Sequence, residues 1–448
     1  MKYNHQKIEK KWQKIWQKQG YKDFRAVDFS KKKKIYLLSM FPYPSGEGLH
    51  VGHVEMYTGP DIVSRYLRHQ NYNVLQPIGY DAFGLPAENY AKKVGRDPRE
   101  VTYENIENFR QQMKNMNTQY EEMLITSDAE YIKWTQWLFK QLYDKGLAYK
   151  KDGEVDFCNS CETVLAREQV KDGKCDRCSN QVEKKILNQW YFRITDYKER
   201  LIANLDKIDF PESTIKAQRN WLENQHDWCV SRQRNWGCPI PIEGETDTMD
   251  TFVDSSIYTI VYCLMKGIKP KPVDLYIGGS EHACMHLIYI RFITMFLYDI
   301  GFIDFEEPIT KLIHQGMILN NGEKMSKSKD NVVSLDDYDS DEIRFYLMFI
   351  GHYFDGGSWS DENIIGIRRF INRMKTWLEK TGEETIDIES FKKTTFDYTE
   401  AFKFNKVVSS FMILMNQNKS KSLTLECKKE LIDLIEIYMP SIKEKIRF

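Results

Sequence analysis

The amino-acid sequence predicts an α/β fold with a parallel sheet, interrupted by a small cysteine-containing module and followed by an α-helical bundle. An apolar run at 35–40, a loop rich in proline and glycine, a helical pattern from about 50 to 69 and an apolar run at 73–78 give the order strand, helix, parallel strand. A strand, a Gly-Gly turn and a helical pattern recur at 274–298, so we expect one sheet built from two separated stretches. After residue 351 the apolar residues follow only helical spacing.

Local patterns predict the remaining elements in chain order. Residues 3–19 carry isoleucine and tryptophan at helical spacing, and Gly20 ends that pattern, which indicates a packing helix. Further along we expect mostly helix at 103–150, a cysteine module at about 153–187, a strand at 274–277, a helix at 281–298, a strand at 311–320, helices at 364–378, 401–415 and 430–442, and a loop at 379–393.

Composition and charge are those of an ordinary globular chain. Its 448 residues, 42% of them hydrophobic, suffice for two to four domains with large cores. A net charge of −1 gives no general attraction to nucleic acids, so any basic contact must be local. Residues 1–34 hold twelve Lys or Arg against three acids, and a solvated helix face explains this excess as well as a phosphate-backbone contact does. The sequence has no run of about eighteen apolar residues and no apolar signal core, so we expect a cytoplasmic protein without membrane insertion.

Four of the nine cysteines have the spacing of a zinc ribbon. Cys158 and Cys161 form one CxxC pair, and Cys175 and Cys178 form a second pair after thirteen intervening residues. Two such pairs, joined by a hairpin, place four thiolates tetrahedrally around one Zn²⁺ in a closed structural site. Disulfides are the alternative, and we favour zinc because the rest of the chain is typical of the cytosol.

Two short strings, far apart in the chain, predict phosphate chemistry. His50 and His53 flank Gly52 where a loop enters a helix N-terminus, a position suited to anions, and the glycine allows a nucleotide to approach closely. Lys324 and Lys327 follow a turn-prone Asn-Asn-Gly and are placed to neutralise a departing pyrophosphate. An isolated HxGH is at least as often structural, and a lysine run is usually a solvated face. Because both strings occur in the expected order, we predict nucleotidyl transfer from ATP.

Longer strings extend this pattern to a family resemblance. The two phosphate strings are similar to the HIGH and KMSKS signatures of class I aminoacyl-tRNA synthetases. The following strings resemble leucyl-tRNA synthetases in particular: FPYPSG at 41–46, GYDAFGLPAE at 79–88, VSRQRNWG at 230–237, TDTMDTF at 246–252, YIGGSEHACMH at 276–286 and QGM at 315–317. The likeness runs from the first helix to about residue 445.

The resemblance implies a domain plan, substrates and cofactors. A class I Rossmann-like catalytic domain would comprise residues 1–152 and 188–360, with the zinc module at 153–187 between its halves and an anticodon-stem-type helical bundle at 361–448. It further implies ATP, Mg²⁺, leucine and tRNA(Leu) as substrates and cofactors, structural Zn²⁺ on the four cysteines, and a monomer. In the first step the leucine carboxylate attacks the α-phosphorus of ATP, and in the second the leucyl group passes to the terminal ribose of tRNA.

Site residues follow from the same resemblance. The residues expected to carry catalysis are His50, His53, Lys324 and Lys327. The ATP-binding residues would be Pro42, Tyr43, His50, Gly52, His53, Gly279, Glu281, Gln315, Met317 and Lys327. The leucine-binding residues would be Met40, Phe41, Tyr43, Asp81, Phe252, Tyr276, His282 and His286, with Asp81 as the carboxylate that a desolvated ammonium requires. His282 and His286 at i, i+4 also have metal-ligand spacing, but no third ligand is suitably spaced, so a catalytic metal is disfavoured.

Three segments usual in leucyl enzymes are missing from this sequence. Only residues 223–226 occupy the place of the large hydrolytic editing domain, the leucine-specific insertion before the second signature is absent, and no C-terminal domain follows residue 446. The sequence therefore predicts a minimal leucine–tRNA ligase without post-transfer editing. The alternatives are a truncated paralogue that binds leucine and ATP without efficient tRNA charging, or a synthetase for isoleucine, valine or methionine. In the bundle, Arg368, Arg369 and Arg373 fit tRNA phosphate contacts and a solvated helix face about equally well.

Overall fold

The computed structural model describes residues 33–44, 48–165, 169–175, 178–325 and 331–446. The predicted helix at 3–19 and Lys327 lie outside these ranges. The strands are β1 (Lys34–Ser39), β2 (Asn73–Leu75), β3 (Pro77–Tyr80), β4 (Glu121–Ile125), β5 (Ala148–Cys158), β6 (Thr163–Leu165), β7 (Val170–Lys171), β8 (Lys174–Cys175), β9 (Glu183–Phe192), β10 (Trp228–Cys229), β11 (Ser231–Arg232), β12 (Thr248–Met249), β13 (Val273–Gly278), β14 (Ile309–His314), β15 (Met317–Asn320), β16 (Glu323–Lys324), β17 (Gly356–Ser358) and β18 (Thr381–Glu384).

The α-helices match the predicted helical stretches only in part: those at 50–69, 364–378 and 401–415 are confirmed, several other helices were not predicted, and the stretch expected at 430–442 is not helical between 436 and 441. They are α1 (Val51–His69), α2 (Leu85–Val94), α3 (Pro98–Asn115), α4 (Ala129–Asp144), α5 (Lys198–Ala203), α6 (Glu212–Glu223), α7 (Thr251–Met265), α8 (His286–Asp299), α9 (Ser340–Phe349), α10 (Asp361–Glu379), α11 (Ile388–Glu400), α12 (Phe404–Asn418), α13 (Leu425–Ile435) and α14 (Ile442–Lys445). None of the helices in the described ranges combines the length and the apolarity that crossing a bilayer requires.

A four-stranded parallel sheet in the order β14, β13, β1, β2 forms the centre of the molecule. Its first and last pairs come from stretches almost 200 residues apart, with Leu37 opposite Leu275 in the central pair. The prediction of one sheet from two separated stretches is therefore confirmed.

Both faces of this sheet are covered, as a parallel sheet requires. Side chains alternate along β1, so that Leu37 packs into one large core while Tyr36 and Leu38 pack into another. The first core continues into the C-terminal helices as far as Ile446, which joins the bundle to one face of the sheet.

The structure corrects two predicted strands. The expected strand at 73–78 is split, because Pro77 has no N–H for the ladder, and β3 pairs instead with β4 in a second sheet. The expected strand at 311–320 divides at Gly316, where a Cβ would overlap the backbone of Gly356. There β15 pairs in parallel with β17, so a parallel pairing does return after residue 351.

Predictions for three further stretches, 281–298, 379–393 and 103–150, are also wrong. The helix expected at 281–298 begins only at His286, because Met285 has φ −118° and ψ −100°, outside the helical region; Ser280–His282 forms a 3₁₀ turn instead. His282 and His286 thus do not share a helix. The segment 379–393, expected as a loop, contains β18 and the start of α11, and β4 interrupts the stretch expected to be mostly helical.

The cysteine module extends from a long antiparallel hairpin. Strands β5 and β9 pair from Ala148 opposite Phe192 to Phe157 opposite Glu183, and β6 extends the same sheet. The cysteines lie at the far end of this hairpin, where they form a small core of their own.

Candidate active site

A cavity of about 1320 Å³ opens at the carboxyl edge of the central sheet. Its walls come from the ends of β1, β13 and β14 and from the N-terminus of α1. In open α/β sheets this edge is where ligands bind, since loops there diverge and helix N-termini point inward.

Most of the predicted site residues meet in this cavity. Those that line it are Met40, Phe41, Pro42, Tyr43, His50, Gly52, His53, Phe252, Gly279, Glu281, His282, Gln315, Met317 and Lys324. Asp81, Tyr276 and His286 lie behind the wall, with exposed fractions of 3%, 0% and 4%. Their contribution is therefore expected to come through the residues in front of them or after a small movement of the wall.

The two histidines of the first string cap α1 reciprocally. The Gly52 N–H donates to His50 Nδ1 at 3.1 Å, and the His50 N–H donates to His53 Nδ1 at 3.3 Å. The rings stack with 3.7 Å between their centroids. Because each Nδ1 accepts, the proton of each neutral ring is on Nε2, and both rings carry their donors at the positive end of the helix.

Gly52 leaves room for a ligand beside these two rings because it has no side chain. A Cβ at this position would lie 3.1 Å from His50 Cε1 and 3.5 Å from Met325 Sδ. The expectation that a glycine is needed here for close approach of a nucleotide is consistent with this packing.

Asp81 is a buried carboxylate held by hydroxyl groups. Thr251 Oγ1 donates to its Oδ1 at 2.7 Å. Burial raises the pKa of Asp81 to about 8, and the nearby Asp250 adds to this, while hydrogen bonds from Thr251, Thr126 and Tyr43 oppose it. A positive ligand beside Asp81 would supply the charge that this environment lacks.

His286 belongs to a chain of buried polar groups behind the cavity. Ser255 Oγ lies 3.0 Å from its Nδ1, and the Tyr276 hydroxyl lies 2.8 Å from its Nε2. The Tyr276 hydroxyl in turn contacts that of Tyr258. Burial lowers the pKa of His286 to about 3, so the ring is neutral, and both of its nitrogens are occupied by hydroxyls rather than available to a metal.

Sequence reasoning missed three groups of residues in the site. His314, at the end of β14, lines the cavity; its Nδ1–H donates to Gly278 O at 2.8 Å, and its Nε2 contacts Thr214 Oγ1 at 2.7 Å. Gln169 and Lys171 reach the cavity from the cysteine module. Glu55 lines the cavity from α1 although only 4% of it is exposed.

A polar network fixes the loop that carries His282. Gln218 Nε2 donates to Ala283 O, and Arg291 Nη1 donates to Gln218 Oε1, both at 2.9 Å. Arg291 is fully buried and paired with Glu307. No sequence signal was available for His314, because the strand predicted at 311–320 placed it inside a strand rather than at its end. The network around Arg291 could not be predicted either, because it joins residues far apart in the chain.

The four cysteines come together at the tip of the hairpin. Their sulfur atoms all lie within 4.8 Å of one another, and all four are free thiols. The pKa of Cys178 is lowered to about 6: burial opposes this, but hydrogen bonds from the Asn180 backbone and the other thiols outweigh it. Within the described ranges this is the one cluster of three or more metal-ligating side chains. The donor set fits tetrahedral Zn²⁺.

Among the bundle arginines singled out above, Arg368 already has a protein partner. Its guanidinium donates to both carboxylate oxygens of Glu342, at 2.8 and 2.9 Å. A phosphate contact by Arg368 would have to compete with this ion pair.

Comparison with known sequences identifies the family. Residues 11–266 match the family model of class I tRNA synthetases (I, L, M and V). The leucine–tRNA ligase of Thermotoga maritima is 32% identical, over 92% of this chain and 84% of the relative. That of Clostridium tetani is 30% identical, over 98% of this chain and 88% of the relative.

Comparison with solved structures agrees with the family assigned from sequence comparison. The agnB2 LeuRS of Agrobacterium radiobacter K84, solved as a ternary complex with tRNA and LeuAMS, superposes with a TM-score of 0.88 at 25% identity, covering 99% of this chain and 88% of that one. A methionyl-tRNA synthetase of Mycobacterium tuberculosis, solved with methionyl-adenylate, shares the fold with a TM-score of 0.74 at 20% identity, covering 92% and 93% of the two chains. The predicted α/β fold with its parallel sheet and helical C-terminal part is thus confirmed as the class I synthetase fold. The chain is an aminoacyl-tRNA ligase and belongs to the leucyl-tRNA synthetase family.

Proposed function

We propose that this enzyme activates leucine with ATP, transfers it to tRNA(Leu) and lacks a hydrolytic editing domain. The observation that carries the proposal is the meeting, in one cavity, of two Nε2-protonated imidazoles at a helix N-terminus with Lys324 and with a wall backed by Asp81. The family resemblance assigns each of these groups to one part of the same reaction.

In the first step the carboxylate of leucine attacks the α-phosphorus of ATP. A bond forms between a carboxylate oxygen and that phosphorus, the bond to the bridging oxygen breaks, and pyrophosphate leaves. His50 and His53 donate hydrogen bonds to phosphate oxygens, and the positive end of α1 stabilises the charge that accumulates there. Mg²⁺ carried by the nucleotide would neutralise part of the phosphate charge. Lys324, and Lys327 by resemblance, neutralise the departing pyrophosphate.

Asp81 positions leucine through its ammonium group. Pairing with this cation favours the ionised carboxylate and reverses the effect of burial. Met40, Phe41, Tyr43, Phe252 and His282 then surround the aliphatic side chain. Tyr276 and His286 brace this wall from behind.

In the second step a ribose hydroxyl at the 3′ end of tRNA attacks the activated carbonyl, and AMP leaves. We propose that residues 1–152 and 188–360 form the catalytic domain around the zinc module at 153–187. The bundle at 361–448 would support the tRNA, and the enzyme would act as a cytoplasmic monomer.

The absence of editing is supported by the path of the chain after α6. This helix ends at Glu223, and β10 begins at Trp228, so only four residues join them. The alignment with the Thermotoga maritima relative is 696 positions long, whereas this chain has 448 residues, so a large part of the relative faces gaps.

Aminoacylation of total tRNA with each amino acid in turn tests the function. Leucine charging together with leucine-dependent ATP–pyrophosphate exchange is expected. Exchange without charging would instead favour the paralogue that does not charge tRNA, and exchange with isoleucine, valine or methionine alone would favour a different specificity.

Deacylation of preformed mischarged tRNA tests the missing editing step. A hydrophobic pocket separates substrates that differ by one methylene by only about 10–200-fold. We therefore expect slow hydrolysis and measurable mischarging with norvaline. Rapid hydrolysis of norvalyl-tRNA by the purified protein would contradict the proposal.

A further inference from the structure

Glu55 is a buried acid in the cavity to which the reaction just described assigns no role. It lies on α1, two residues beyond His53, and lines the same cavity as Gly52, Gln315 and Met317. Only 4% of it is exposed. Within the described ranges no hydrogen bond or ion pair joins its carboxyl group to another residue.

A second polar atom in this part of the cavity is also unsatisfied. Gln315 Oε1 is buried without a hydrogen-bond partner in the described part of the chain. A buried polar group without a partner costs free energy, which a ligand with complementary groups recovers. Glu55 and Gln315 line the same cavity, and the helix that carries Glu55 contacts the strand that follows Gln315, so one ligand is able to contact both.

The protonation state of Glu55 determines what it offers such a ligand. Burial raises its pKa to about 8, so near pH 7 the acid form predominates and carries an O–H donor. The charged and titratable side chains that line the same cavity include His53, Glu281, Lys324 and Asp355. Tyr353 packs against the helix at Gly59, one turn beyond Glu55, and its hydroxyl is buried and unpartnered in the described ranges.

The cavity that Glu55 lines also offers an apolar surface. Met317 and Phe354 line it and are 44% and 43% exposed, which is unusual for large apolar side chains. The Phe354 ring is supported by His352 at 5.1 Å and by Phe402 at 6.0 Å between centroids. A flat heterocycle against these side chains would cover apolar surface while its edge reaches the polar groups.

We propose that Glu55 is a base-specificity residue: its carboxylic acid donates a hydrogen bond to N1 of adenine, and Gln315 Oε1 accepts from the adjacent 6-amino group. Guanine presents a carbonyl oxygen in place of the amino group and an N–H in place of N1, so both contacts would oppose it. The inference rests on the proposed function in one respect, that the adenine of ATP occupies this end of the cavity.

The test compares Glu55→Met with Glu55→Gln in leucine-dependent exchange, using ATP, 1-deaza-ATP, 7-deaza-ATP and GTP. In the wild type, 1-deaza-ATP lacks the ring nitrogen that Glu55 contacts, so its kcat/KM should be about three- to tenfold lower than that of ATP. In Glu55→Met, kcat/KM for ATP should fall by a similar factor, and discrimination against that one deaza analogue should disappear, while KM for leucine stays the same. Glu55→Gln keeps an N–H donor and should keep part of the discrimination. Glu130→Met, the same loss of a carboxylate at an exposed position on α4, serves as the control.

Three results would overturn the proposal: Glu55→Met with unchanged kinetics, Glu55→Met with equal losses for ATP and both deaza analogues, or wild type without preference among them. Calorimetric binding of ATP and its analogues to the wild type and to Glu55→Met separates this inference from the proposed function. If leucine-dependent exchange is absent, the proposed function fails, whereas the base proposal still stands or falls on whether the variant changes the preference for ATP over the deaza analogues.

Discussion

The two ends of the cavity, one assigned to leucine and one to the nucleotide, differ in how far their buried polar groups are paired within the protein. Behind the wall assigned to leucine, Ser255, His286, Tyr276 and Tyr258 form a buried chain in which both imidazole nitrogens and the hydroxyls have partners. At the nucleotide end Gln315 Oε1 has no partner in the described ranges, and Glu55 makes no hydrogen bond there. A satisfied network holds one shape before any ligand arrives, whereas an unsatisfied set is completed by its ligand.

This difference would suit the two substrates of the proposed function. Leucine offers an aliphatic side chain with no hydrogen-bonding group, so only the shape of a rigid wall separates it from its neighbours. Adenine offers hydrogen-bond donors and acceptors, so polar groups that lack partners within the described protein are able to bind it specifically. Variants at the two ends should therefore have separable effects on leucine and ATP.

Asp81→Asn is expected to give the largest effect. The amide keeps the shape and a hydrogen bond but loses the charge that pairs with a desolvated ammonium. We expect kcat/KM for leucine to fall about 100-fold in ATP–pyrophosphate exchange, with KM for ATP little changed. The exposed Asp206→Asn is the control for the same chemical change. Equal losses for both substrates would show that Asp81 supports the whole cavity rather than the leucine end.

Tyr276→Phe should weaken the rigid wall itself. It leaves His286 Nε2 and the Tyr258 hydroxyl without their shared partner in a fully buried place. We expect the free energy of unfolding to fall by about 1–3 kcal/mol and KM for leucine to rise about tenfold. Discrimination against norvaline should fall as well. The half-exposed Tyr298→Phe provides the comparison, and a variant with unchanged leucine kinetics would mean that the wall does not depend on this network.

The pH dependence of leucine activation follows from the raised pKa of Asp81, about 8 against an ordinary value of 3.8. Below pH 8 the free enzyme holds mostly the acid form, which cannot pair with the ammonium, and the ionised fraction grows as pH rises. At saturating ATP, kcat/KM for leucine should therefore increase about fivefold between pH 7 and pH 8, and about twofold more above pH 8 before it levels off. Asp81→Asn should abolish this rise, and a wild-type profile without it would contradict the assignment.

The sequence predicted those parts of the site that depend on local structure. His50 and His53 were placed correctly at a helix N-terminus because the strand, the Pro/Gly loop and the helical pattern are all contained within about forty residues. The cysteine cluster was equally predictable, since two CxxC pairs on one hairpin need no distant partner.

The remaining features depend on contacts that sequence spacing does not report. His282 and His286 have helical spacing, yet the backbone of Met285 separates them into two elements. Glu55 follows a histidine and a valine on an amphipathic helix and looks like an exposed side chain. It is buried because the segment around Tyr353, 300 residues later, packs over the same helix face. A buried acid of this kind is visible only once the tertiary structure is known.

Cys175→Ser tests whether the cysteine module contributes to the leucine end or to the nucleotide end of the cavity. Of the variants proposed, it is expected to change the kinetics least. The cysteines form a core separate from the two large ones, so loss of bound Zn²⁺ should unfold the tip of the hairpin without changing the main unfolding transition. Among the described residues of the module, Gln169 and the exposed Lys171 line the cavity. Because an exposed cation contributes little through screened electrostatics, we expect kcat/KM for leucine to fall no more than about two- to threefold, together with loss of zinc by elemental analysis. Complete inactivation would mean that the module forms a structural wall of the cavity. The module would then belong to the rigid leucine end instead of lying outside both the leucine end and the nucleotide end.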